Sequence, residues 1–376
     1  MFVYNIASNF PLGGGLVVTG PAVPGSAALS QDHRIPIVRL GYSFVPGPSR
    51  LREAWALVRL LRDLISIVRR EKIDLVHAGF IRLDGVAAYV LWRACGVPYV
   101  QYLYGEELTG LLRQTERRGG LMRAIFRRVI RNAAGFITVS DFTTSLLPRF
   151  GRAPGDAVKI VPPVSGVVLK VGNPDGLRDR YALPRTRRVI LIAGRLIERK
   201  GHDNLIRAMP TILRSVLDAH LLVVGRGPDL HRLQAIAESA GVRDRVTFAG
   251  FVPDESLGAL YELCDVLALP HRQLSNGDTE GCPTVFLEAN AHGKPVVGGM
   301  AGGVRDAIVE GETGLIVDGD DVAAIAGAIA KLLQDSALAS RLGSNGRRRV
   351  EGLTPAAASA RAWEFSEALL GAASQA

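Results

Sequence analysis

The sequence predicts an α/β protein with two doubly wound, Rossmann-like domains, and three observations support this prediction. The chain has 376 residues, which exceeds one typical core and suits two ordinary domains. Short apolar runs typical of buried parallel strands, such as residues 189–193, alternate with longer amphipathic stretches in both halves. A hydrophobic content of 48% with 6% aromatic residues and 42 glycines is typical of glycine-punctuated α/β proteins rather than β-sandwiches or disordered chains.

Bulk properties exclude several other classes of protein. No apolar run approaches the roughly 20 residues that cross a bilayer, and the first residues lack the basic start of a signal peptide. The three cysteines, Cys95, Cys264 and Cys282, are widely spaced and show no metal-ligand pattern. We therefore expect a cytoplasmic protein without a bound metal.

A net charge of +9 predicts anionic partners, and the densest basic patch runs over residues 113–131. This patch mixes arginines with apolar residues at helical spacing, and the chain has no basic tail or aromatic-basic interleaving. Nucleic acid is therefore not an expected partner. Two interpretations stay open for the patch: contact with an anionic membrane surface, or a core-packed helix with a solvated arginine face.

The first residues allow two assignments. Residues 2–7 could form a first strand before Gly13-Gly14-Gly15, but the next strand-like run begins at Leu16, too soon for the crossover that parallel strands need. Alternatively, residues 1–9 end a helix, the glycines stop it, and residues 16–19 form the next strand. We favour the second assignment, in which the usual first strand of such a domain is missing.

Strands and helices then alternate regularly as far as residue 161. Ser140 and Asp141 should cap a short helix, and the proline-rich run of residues 162–174 predicts an interdomain linker. The first domain is thus placed at residues 1–165. Its expected strands are residues 37–42, 73–77, 99–103, 135–139 and 158–161, with helices at residues 49–70, 83–95 and 120–133.

The second domain is predicted at residues 175–354 and repeats the alternation. A last helix at about residues 355–376 carries Trp363 and Phe365 and should pack back on the first domain. The expected strands are residues 189–193, 221–224, 246–248, 266–269, 295–297 and 315–317, with helices near residue 204 and at residues 229–239 and 322–330.

Two positive side chains lie in the turn after the first strand of the second domain. Gly194-Arg195 and Lys200-Gly201 come between a buried strand and a helix start, at the end of a sheet where open α/β folds bind ligands. Two cations and helix N–H groups can neutralise a diphosphate. The alternative is a pair of solvated surface cations beside a loop.

Two carboxylates, Glu280 and Glu288, bracket a small-residue turn that should open a helix. Ionised carboxylates accept hydrogen bonds from hydroxyl groups, while the N–H groups of Gly281 and Cys282 can donate to ligand oxygens. The pattern therefore predicts a sugar-nucleotide site, with an ordinary capped helix as the alternative.

Two further turns have weaker signals. Phe251-Val252 could place an aromatic edge and backbone groups beside a base, or form a plain loop. The pair Gly302-Gly303 would allow a ligand to approach the backbone closely.

In combination, these motifs resemble those of retaining GT-B glycosyltransferases of the family 4 type, to which the membrane-associated phosphatidylinositol mannosyltransferases belong. The resemblance is strong over residues 188–346 and holds only in outline for the first half. The ordered set comprises Gly194-Arg195, Lys200-Gly201, Gly225-x-Gly227, Phe248-x-Gly250, Glu280-x7-Glu288, Gly302-Gly303 and Gly311-x-Thr313-Gly314-Leu315.

The resemblance implies a GT-B fold whose two domains face a cleft, and a role for each matching residue. Arg195 and Lys200 would stabilise the departing diphosphate without a metal ion, and Glu288 would hold the ribose hydroxyls. Glu280, with the adjacent N–H groups, would contact sugar hydroxyls and the charge that develops at the anomeric carbon. The donor-binding set would be Gly194, Phe251, Val252, Gly281, Cys282 and Glu288.

The first half departs from the family pattern at its expected histidine. Tyr104-Gly105-Glu106-Glu107 stands where members often have His-Gly-x-Glu, and a tyrosine with an ordinary pKa of about 10 is a poor base near neutrality. Tyr104 could instead donate a hydrogen bond to the sugar. His77, at a strand end, is another candidate, with a structural role as the alternative.

The expected function is transfer of a hexose from a nucleotide-diphosphate sugar, with no other cofactor, to a lipid-linked or envelope-precursor acceptor at the cytosolic membrane face. A non-catalytic sugar-nucleotide-binding or partner-binding protein is the alternative, because of Tyr104 and the incomplete first half. A dehydrogenase is disfavoured, since no complete Gly-x-Gly-x-x-Gly pattern occurs.

Overall fold

The computed structural model describes residues 10, 16–19, 37–39, 50–113, 120–166, 168–170 and 172–373. The helix predicted at residues 1–9, its glycine stop signal and the position of a missing first strand lie outside these residues. Two compact units are present. Met1–Val139, Thr144–Ile160 and Pro355–Ala376 form the first, and Ser140–Thr143 with Val161–Thr354 form the second.

The first unit contains two parallel sheets. Strands β1 (Val17–Thr19) and β2 (Ile37–Arg39) pair with each other, with Val17 opposite Ile37. A four-stranded sheet has the order β3-β4-β5-β6 and comprises β3 (Val76–Ala78), β4 (Tyr99–Leu103), β5 (Gly135–Thr138) and β6 (Ala157–Lys159).

Helices connect these strands, as parallel pairing requires. The helix Leu83–Cys95 contacts both Arg50–Glu71 and Gly120–Asn132, so these three helices form one layer. In chain order the helices are α1 (Arg50–Glu71), α2 (Leu83–Cys95), α3 (Glu106–Arg113), α4 (Gly120–Asn132) and the short α5 (Asp141–Ser145), whose Thr143 N–H donates to the Ser140 hydroxyl as predicted for a cap.

Two predicted strands of this unit are displaced. The prediction of a strand at residues 73–77 was wrong at its start, because Lys72 turns the chain at a φ of 51° and the Ile73 N–H still bonds to the Val68 carbonyl. The last strand ends at Lys159 rather than at residue 161, and Val161 already packs against the core of the second unit.

The last described helix of the chain packs on the four-stranded sheet of the first unit. In α14 (Pro355–Ala373), the ring of Phe365 lies so close to Gly135 of β5 that a Cβ atom there would be 2.6 Å away. The Ser366 hydroxyl of the same helix meets His77 Nε2 at 3.1 Å. This helix therefore covers β3 and β5 with both apolar and polar contacts.

The second unit is built on one parallel six-stranded sheet in the order β12-β11-β10-β7-β8-β9. Near-continuous apolar runs form its central strands, which are buried on both faces. The strands are β7 (Arg188–Ala193), β8 (Ala219–Val224), β9 (Val246–Gly250), β10 (Val266–Leu269), β11 (Val296–Gly299) and β12 (Leu315–Val317).

Helices on both sides of this sheet agree with the doubly wound pattern expected from the sequence. They are α6 (Pro174–Arg180), α7 (His202–Ser215), α8 (Leu230–Ser239), α9 (Leu257–Leu263), α10 (Thr284–Ala291), α11 (Val304–Ala307), α12 (Val322–Gln334) and α13 (Ser336–Glu351).

The run of residues 162–174 is not a solvated linker in its described part. Val164 and Val168 are buried in the core of the second unit. Gly258 of α9 lies so near the Lys170 carbonyl that a Cβ atom would be 1.8 Å from its oxygen. The prediction failed because it rested on the prolines and glycines of this run and gave no weight to two apolar side chains, Val164 and Val168, that are buried in the core.

Over the described residues, no single helix has both the length and the apolar composition needed to cross a membrane. The helices α12 and α13 pass that test only as a pair, bent by 97°.

Candidate functional site

The candidate site lies where the strand order of the second unit reverses. The chain proceeds from β7 to β8 and β9 on one side, then returns to place β10 on the other side of β7. The loops that follow β7 and β10 therefore diverge from adjacent strands at the same edge of the sheet. In doubly wound folds, ligands bind in the crevice at this edge.

Four charged side chains from these two loops meet in one cluster. Glu280, from the loop after β10, accepts a bond from Arg199 Nε at 2.7 Å on Oε1 and from Lys200 Nζ at 2.9 Å on Oε2. Arg199 also contacts Asp278, with 3.2 Å between Nη1 of Arg199 and Oδ2 of Asp278. Both predicted residues, Lys200 and Glu280, are thus brought together by the fold, with two residues that the prediction missed.

The cluster controls the charge of Glu280. Burial alone would raise the pKa of this carboxyl, but the positive charges of Lys200 and Arg199 lower the pKa to about 2. Glu280 is therefore an anion at neutral pH although its side chain is almost fully buried.

The loop that carries the cations is fixed to its neighbour by backbone contacts. The Gly194 N–H donates to the Val224 carbonyl at 2.9 Å, and the Leu196 N–H donates to the Arg226 carbonyl at 3.0 Å. A Cβ atom at Gly225 would lie 1.8 Å from the Gly194 oxygen. The Gly225-x-Gly227 turn therefore supports this loop, while the side chain of Arg195 extends from it and is exposed.

The glycine pair at residues 302 and 303 packs against the protein itself. A Cβ atom at Gly302 would lie 1.9 Å from the Glu280 oxygen, and one at Gly303 would lie 1.8 Å from the Gly281 oxygen. The Gly303 N–H also donates to the Glu280 carbonyl at 3.1 Å. The sequence predicted that a ligand could approach this backbone closely, whereas the contact that the structure describes is with the Glu280 turn. These glycines therefore hold the turn that presents Glu280.

The second carboxylate of the motif, Glu288, lies on α10 and is half-buried. Its Oε2 accepts a hydrogen bond of 2.5 Å from the hydroxyl of Tyr261, a fully buried residue of α9. Burial, followed by the charge of Glu288, raises the pKa of Tyr261 well above its usual value. The phenol therefore stays protonated and donates to the carboxylate. Just before α10, Gly281 is buried and Cys282 is half-buried.

The turn after β9 separates two residues that the sequence grouped together. Phe251 is 55% exposed, and the guanidinium of Arg226 lies over its ring, 5.4 Å from the centroid. Val252 is buried in the core. Only the aromatic ring of this pair presents a side chain that a ligand could contact.

A second ion cluster, which sequence reasoning missed, adjoins the first. The guanidinium of Arg272 donates to both oxygens of the buried Asp203 at 3.0 Å, and the backbone N–H of Arg272 donates to the Arg199 carbonyl at 2.9 Å. The only sequence signal was position: Arg199 precedes Lys200 directly, and Asp203 lies in the first turn of the helix that follows. Nothing in the spacing of Asp278 or Arg272 indicated their partners.

The remaining predicted residues belong to the first unit. Tyr104 follows β4, its N–H donates to Glu107 Oε1 at 2.8 Å, and its ring lies 5.3 Å from that of Phe80. Burial and then the charge of Glu107 raise the pKa of the Tyr104 phenol above its usual value. A phenol in this environment does not ionise near neutral pH.

His77 has a structural setting. Its Nδ1 meets the Tyr102 hydroxyl at 3.1 Å and its Nε2 meets Ser366 at 3.1 Å. Burial lowers the pKa of His77 to about 4. These contacts favour the structural alternative over a role as a base.

Among the described residues, no group of three or more histidine, cysteine or acidic side chains has the arrangement of a metal site.

Comparison with known proteins gives matches over both units. The family profile described as "Glycosyl transferases group 1" matches residues 175–349, and that described as "Glycosyltransferase Family 4" matches residues 16–164. Each unit therefore has its own family match.

Two curated relatives show the extent of the similarity. A GDP-mannose-dependent alpha-(1-6)-phosphatidylinositol monomannoside mannosyltransferase of Mycolicibacterium smegmatis is 40% identical over 231 residues, which span 60% of this chain and 59% of that relative. The alignment thus reaches less than two thirds of that relative's length. A GDP-mannose-dependent monoacylated alpha-(1-6)-phosphatidylinositol monomannoside mannosyltransferase of Corynebacterium glutamicum is 30% identical over 295 residues, 77% of this chain and 74% of the relative.

Solved structures show the same fold. The crystal structure of HepE from Anabaena in complex with UDP has a TM-score of 0.76 at 19% identity, and the match covers 97% of this chain and 95% of that one.

Proposed function

The chain belongs to the family 4 glycosyltransferases and has their GT-B fold, and from this premise we propose that it transfers a hexose from a nucleotide-diphosphate sugar. The acceptor in this proposal is a lipid-linked molecule or an envelope precursor. Transfer retains the anomeric configuration and requires no metal ion. The observation that carries the proposal is the meeting of Lys200 and Glu280 at the strand-order reversal of the second unit.

In this proposal, the leaving diphosphate binds beside Gly194 and is stabilised by Arg195 and Lys200. Both cations come from one short loop, and Arg195 is exposed towards solvent, where a ligand can reach it. Their charges oppose the negative charge that develops as the glycosidic bond to the diphosphate breaks. They supply the stabilisation that a divalent cation gives in other phosphate sites.

The sugar contacts Glu280 and the N–H groups of Gly281 and Cys282. An anionic carboxylate accepts hydrogen bonds from hydroxyl groups and favours the positive charge that develops at the anomeric carbon. The lowered pKa of Glu280 keeps it in that form at neutral pH. Tyr104 of the first unit keeps its phenol proton and is therefore proposed as a hydrogen-bond donor rather than as a base.

The nucleoside is held by Glu288 and by the turn after β9. The carboxylate of Glu288 accepts hydrogen bonds from the ribose hydroxyls, using the lone pairs that the Tyr261 hydroxyl does not occupy. The exposed ring of Phe251 lies beside the base, and Val252, whose side chain is buried, contributes only backbone groups.

The relatives indicate which substrates to try first. Both curated relatives described above are named as GDP-mannose-dependent enzymes that act on phosphatidylinositol mannosides. GDP-mannose is therefore the first donor to test, and phosphatidylinositol monomannoside is the first acceptor. Their names also favour an active transferase over a non-catalytic binding protein.

An anionic membrane surface is a proposed partner of the first unit. In α4, Phe126, Val129 and Ile130 are buried, whereas Leu121 is 75% exposed and Met122 is 49% exposed. Arginines of the same helix are exposed beside them, namely Arg127, Arg128 and Arg131. Exposed apolar side chains next to arginines suit the interface of an anionic bilayer.

Helix α1, which packs against the other side of α2, has exposed side chains of the same kind. Trp55 is 73% exposed and Val58 is 56% exposed near the start of this helix. Over residues 55–71 of this helix, whose side chains are described, the exposed arginines are Arg59, Arg62, Arg69 and Arg70. Helices α1, α2 and α4 form one layer, so the exposed side chains of α1 and α4 belong to the same layer. They support a cytoplasmic protein that binds peripherally to the inner face of the plasma membrane.

The test of the proposed activity is release of nucleoside diphosphate from a donor panel. GDP-mannose, UDP-glucose and UDP-galactose are incubated with the protein and a membrane lipid extract, with and without EDTA. We expect extract-dependent release from one donor, unaffected by EDTA, and a product whose anomeric coupling matches that of the donor. No extract-dependent release from any donor would contradict the proposal, and an inverted anomer would contradict retention.

The membrane contact is tested by flotation with vesicles of phosphatidylcholine, with or without phosphatidylglycerol. We expect flotation only with the anionic vesicles, and loss of it when Arg123, Arg127 and Arg128 are replaced by Gln. Replacement of Arg341, Arg347 and Arg348 by Gln is the charge-matched control, because these three exposed arginines lie on α13 of the second unit. Anionic binding that survives the α4 variant would move the contact elsewhere, for example to α1.

A further inference from the structure

We infer that Arg199 is a positioning residue that holds Glu280 in place while Lys200 moves from that carboxylate to the donor diphosphate. This inference rests on the proposed nucleotide-sugar donor and assigns a role to a residue outside the motif. Arg199 does not touch the substrate in this scheme. It acts through Glu280, which it contacts directly.

The two cations on Glu280 are held differently. The guanidinium of Arg199 bonds to Glu280 on one side and lies 3.2 and 3.3 Å from the two oxygens of Asp278 on the other. Its planar fork therefore contacts two carboxylates at once. The ammonium of Lys200 is a point charge on a flexible chain and approaches Glu280 on its other oxygen. Of the two cations, Lys200 is the one that can turn away readily.

The backbone that carries both cations is anchored. The Arg199 carbonyl accepts the Arg272 N–H, and Arg272 itself is bound to Asp203. Gly201 has a φ of 75°, and a Cβ atom there would lie 2.0 Å from the Pro270 oxygen. The loop after β7 is thus fixed to the loop after β10, so a change of partner by Lys200 occurs in its side chain.

Charge balance explains why two cations are needed. Arg199 and Lys200 oppose Asp278 and Glu280, two charges of each sign in one buried cluster. When a diphosphate takes Lys200, a buried carboxylate without any cation would be strongly disfavoured. Arg199 prevents this, because it remains on Oε1 of Glu280. The Oε2 atom that Lys200 leaves can then accept a hydroxyl of the donor sugar, which couples diphosphate binding to sugar binding.

The inference is tested by nucleoside diphosphate binding, measured by calorimetry with GDP and UDP as probes. Without Arg199, Glu280 would retain Lys200, so Arg199→Ala should weaken binding of the preferred probe by about tenfold or more. Arg199→Lys, which keeps the charge but not the fork, should recover part of this loss. Arg214→Ala, an exposed arginine at the other end of α7, should bind like the wild type.

The decisive comparison makes the Arg199→Ala substitution in a protein whose residue 280 carries no charge. In a Glu280→Gln protein, Lys200 is no longer retained, so adding Arg199→Ala should leave the affinity unchanged. An equal loss in both backgrounds would overturn the inference, as would wild-type affinity of the single variant. Should Arg199→Ala not fold, Arg199→Lys provides the same comparison with a smaller expected effect.

Failure of the proposed function gives a different result. A wild-type protein that binds neither probe would contradict the nucleotide-sugar donor and, with it, the role of Arg199. A wild-type protein that binds a probe, with Arg199→Ala binding equally well, would overturn the role of Arg199 alone.

Discussion

The hydroxyl of Tyr261 donates a 2.5 Å hydrogen bond to Oε2 of Glu288. This contact joins a fully buried side chain of α9 to the carboxylate that should hold the ribose. It fixes the orientation of the carboxylate before a ligand arrives, and preorganised polar groups bind more tightly than mobile ones.

Tyr261→Phe should therefore weaken nucleoside diphosphate binding by about tenfold, since one charge-assisted hydrogen bond is lost while the ring is kept. Calorimetry measures this effect. Tyr181→Phe is a matched control, because the buried Tyr181 hydroxyl has no hydrogen-bond partner among the described residues. Glu288→Ala should cost more than Tyr261→Phe, and wild-type affinity of Glu288→Ala would count against the ribose role.

Removal of Arg195 and removal of Lys200, the two proposed diphosphate-binding cations after β7, should differ in their effect on the stability of the protein. Arg195→Ala and Lys200→Ala should each lower turnover about a hundredfold, as loss of one preorganised electrostatic contact typically does. Arg195 is exposed, so its loss should leave the melting temperature nearly unchanged. Lys200→Ala should lower it, because Glu280 then loses one of its cations. Unchanged turnover in both variants would remove the phosphate-binding assignment.

Acid should destabilise the second unit through Glu280. Its pKa is lowered from 4.5 to about 2, so its stabilising contribution is present above pH 4.5 and is lost as the pH falls towards 2. The contribution is on the order of 3 kcal/mol. Urea unfolding at a series of pH values should show this loss in the wild type. In Glu280→Gln the fall over this window should be shallower, and an equally steep fall would contradict the lowered pKa.

A glycine-to-alanine substitution should be far more damaging beside the Glu280 turn than at an open position in a helix. Gly302→Ala should destabilise the protein and abolish donor binding, because the residue has a φ of 53° and its Cβ atom would meet the Glu280 carbonyl. Gly327→Ala on α12, where nothing lies within 4 Å, should be neutral or stabilising by up to about 1 kcal/mol. Thermal melting and calorimetry measure both, and a stable, binding-competent Gly302→Ala would contradict the close contact.

The second unit was largely predictable from the sequence because its central strands are uninterrupted apolar runs. Strands β10 and β12 begin and end at the predicted residues. The charged loops were located by motif, which brought Lys200 and Glu280 to the same edge. The partners of those residues were not predictable, since Arg199 and Asp278 are 79 positions apart and only the three-dimensional fold brings them together.

Interactions between distant segments also decided the cases where prediction failed. Residues 162–174 were predicted to be an interdomain linker, yet Val164 and Val168 pack in a core that extends to residues as distant in sequence as Leu342 and Val350. The same limit applied to His77, whose partner Ser366 lies on the last described helix. Local sequence shows a strand-end histidine but gives no sign of the helix that covers it.

The contacts of Gly225, Gly302 and Gly303 have a consequence for how such an enzyme can change during evolution. At these three glycines, the loops around the candidate site contact main-chain atoms of the neighbouring turns. Substitutions at Cys282 or Phe251 can therefore alter the preferred donor while the supporting frame stays intact. Divergence in substrate choice should accumulate at such lining positions, whereas a methyl group at any of the three glycines would disrupt every version of the site at once.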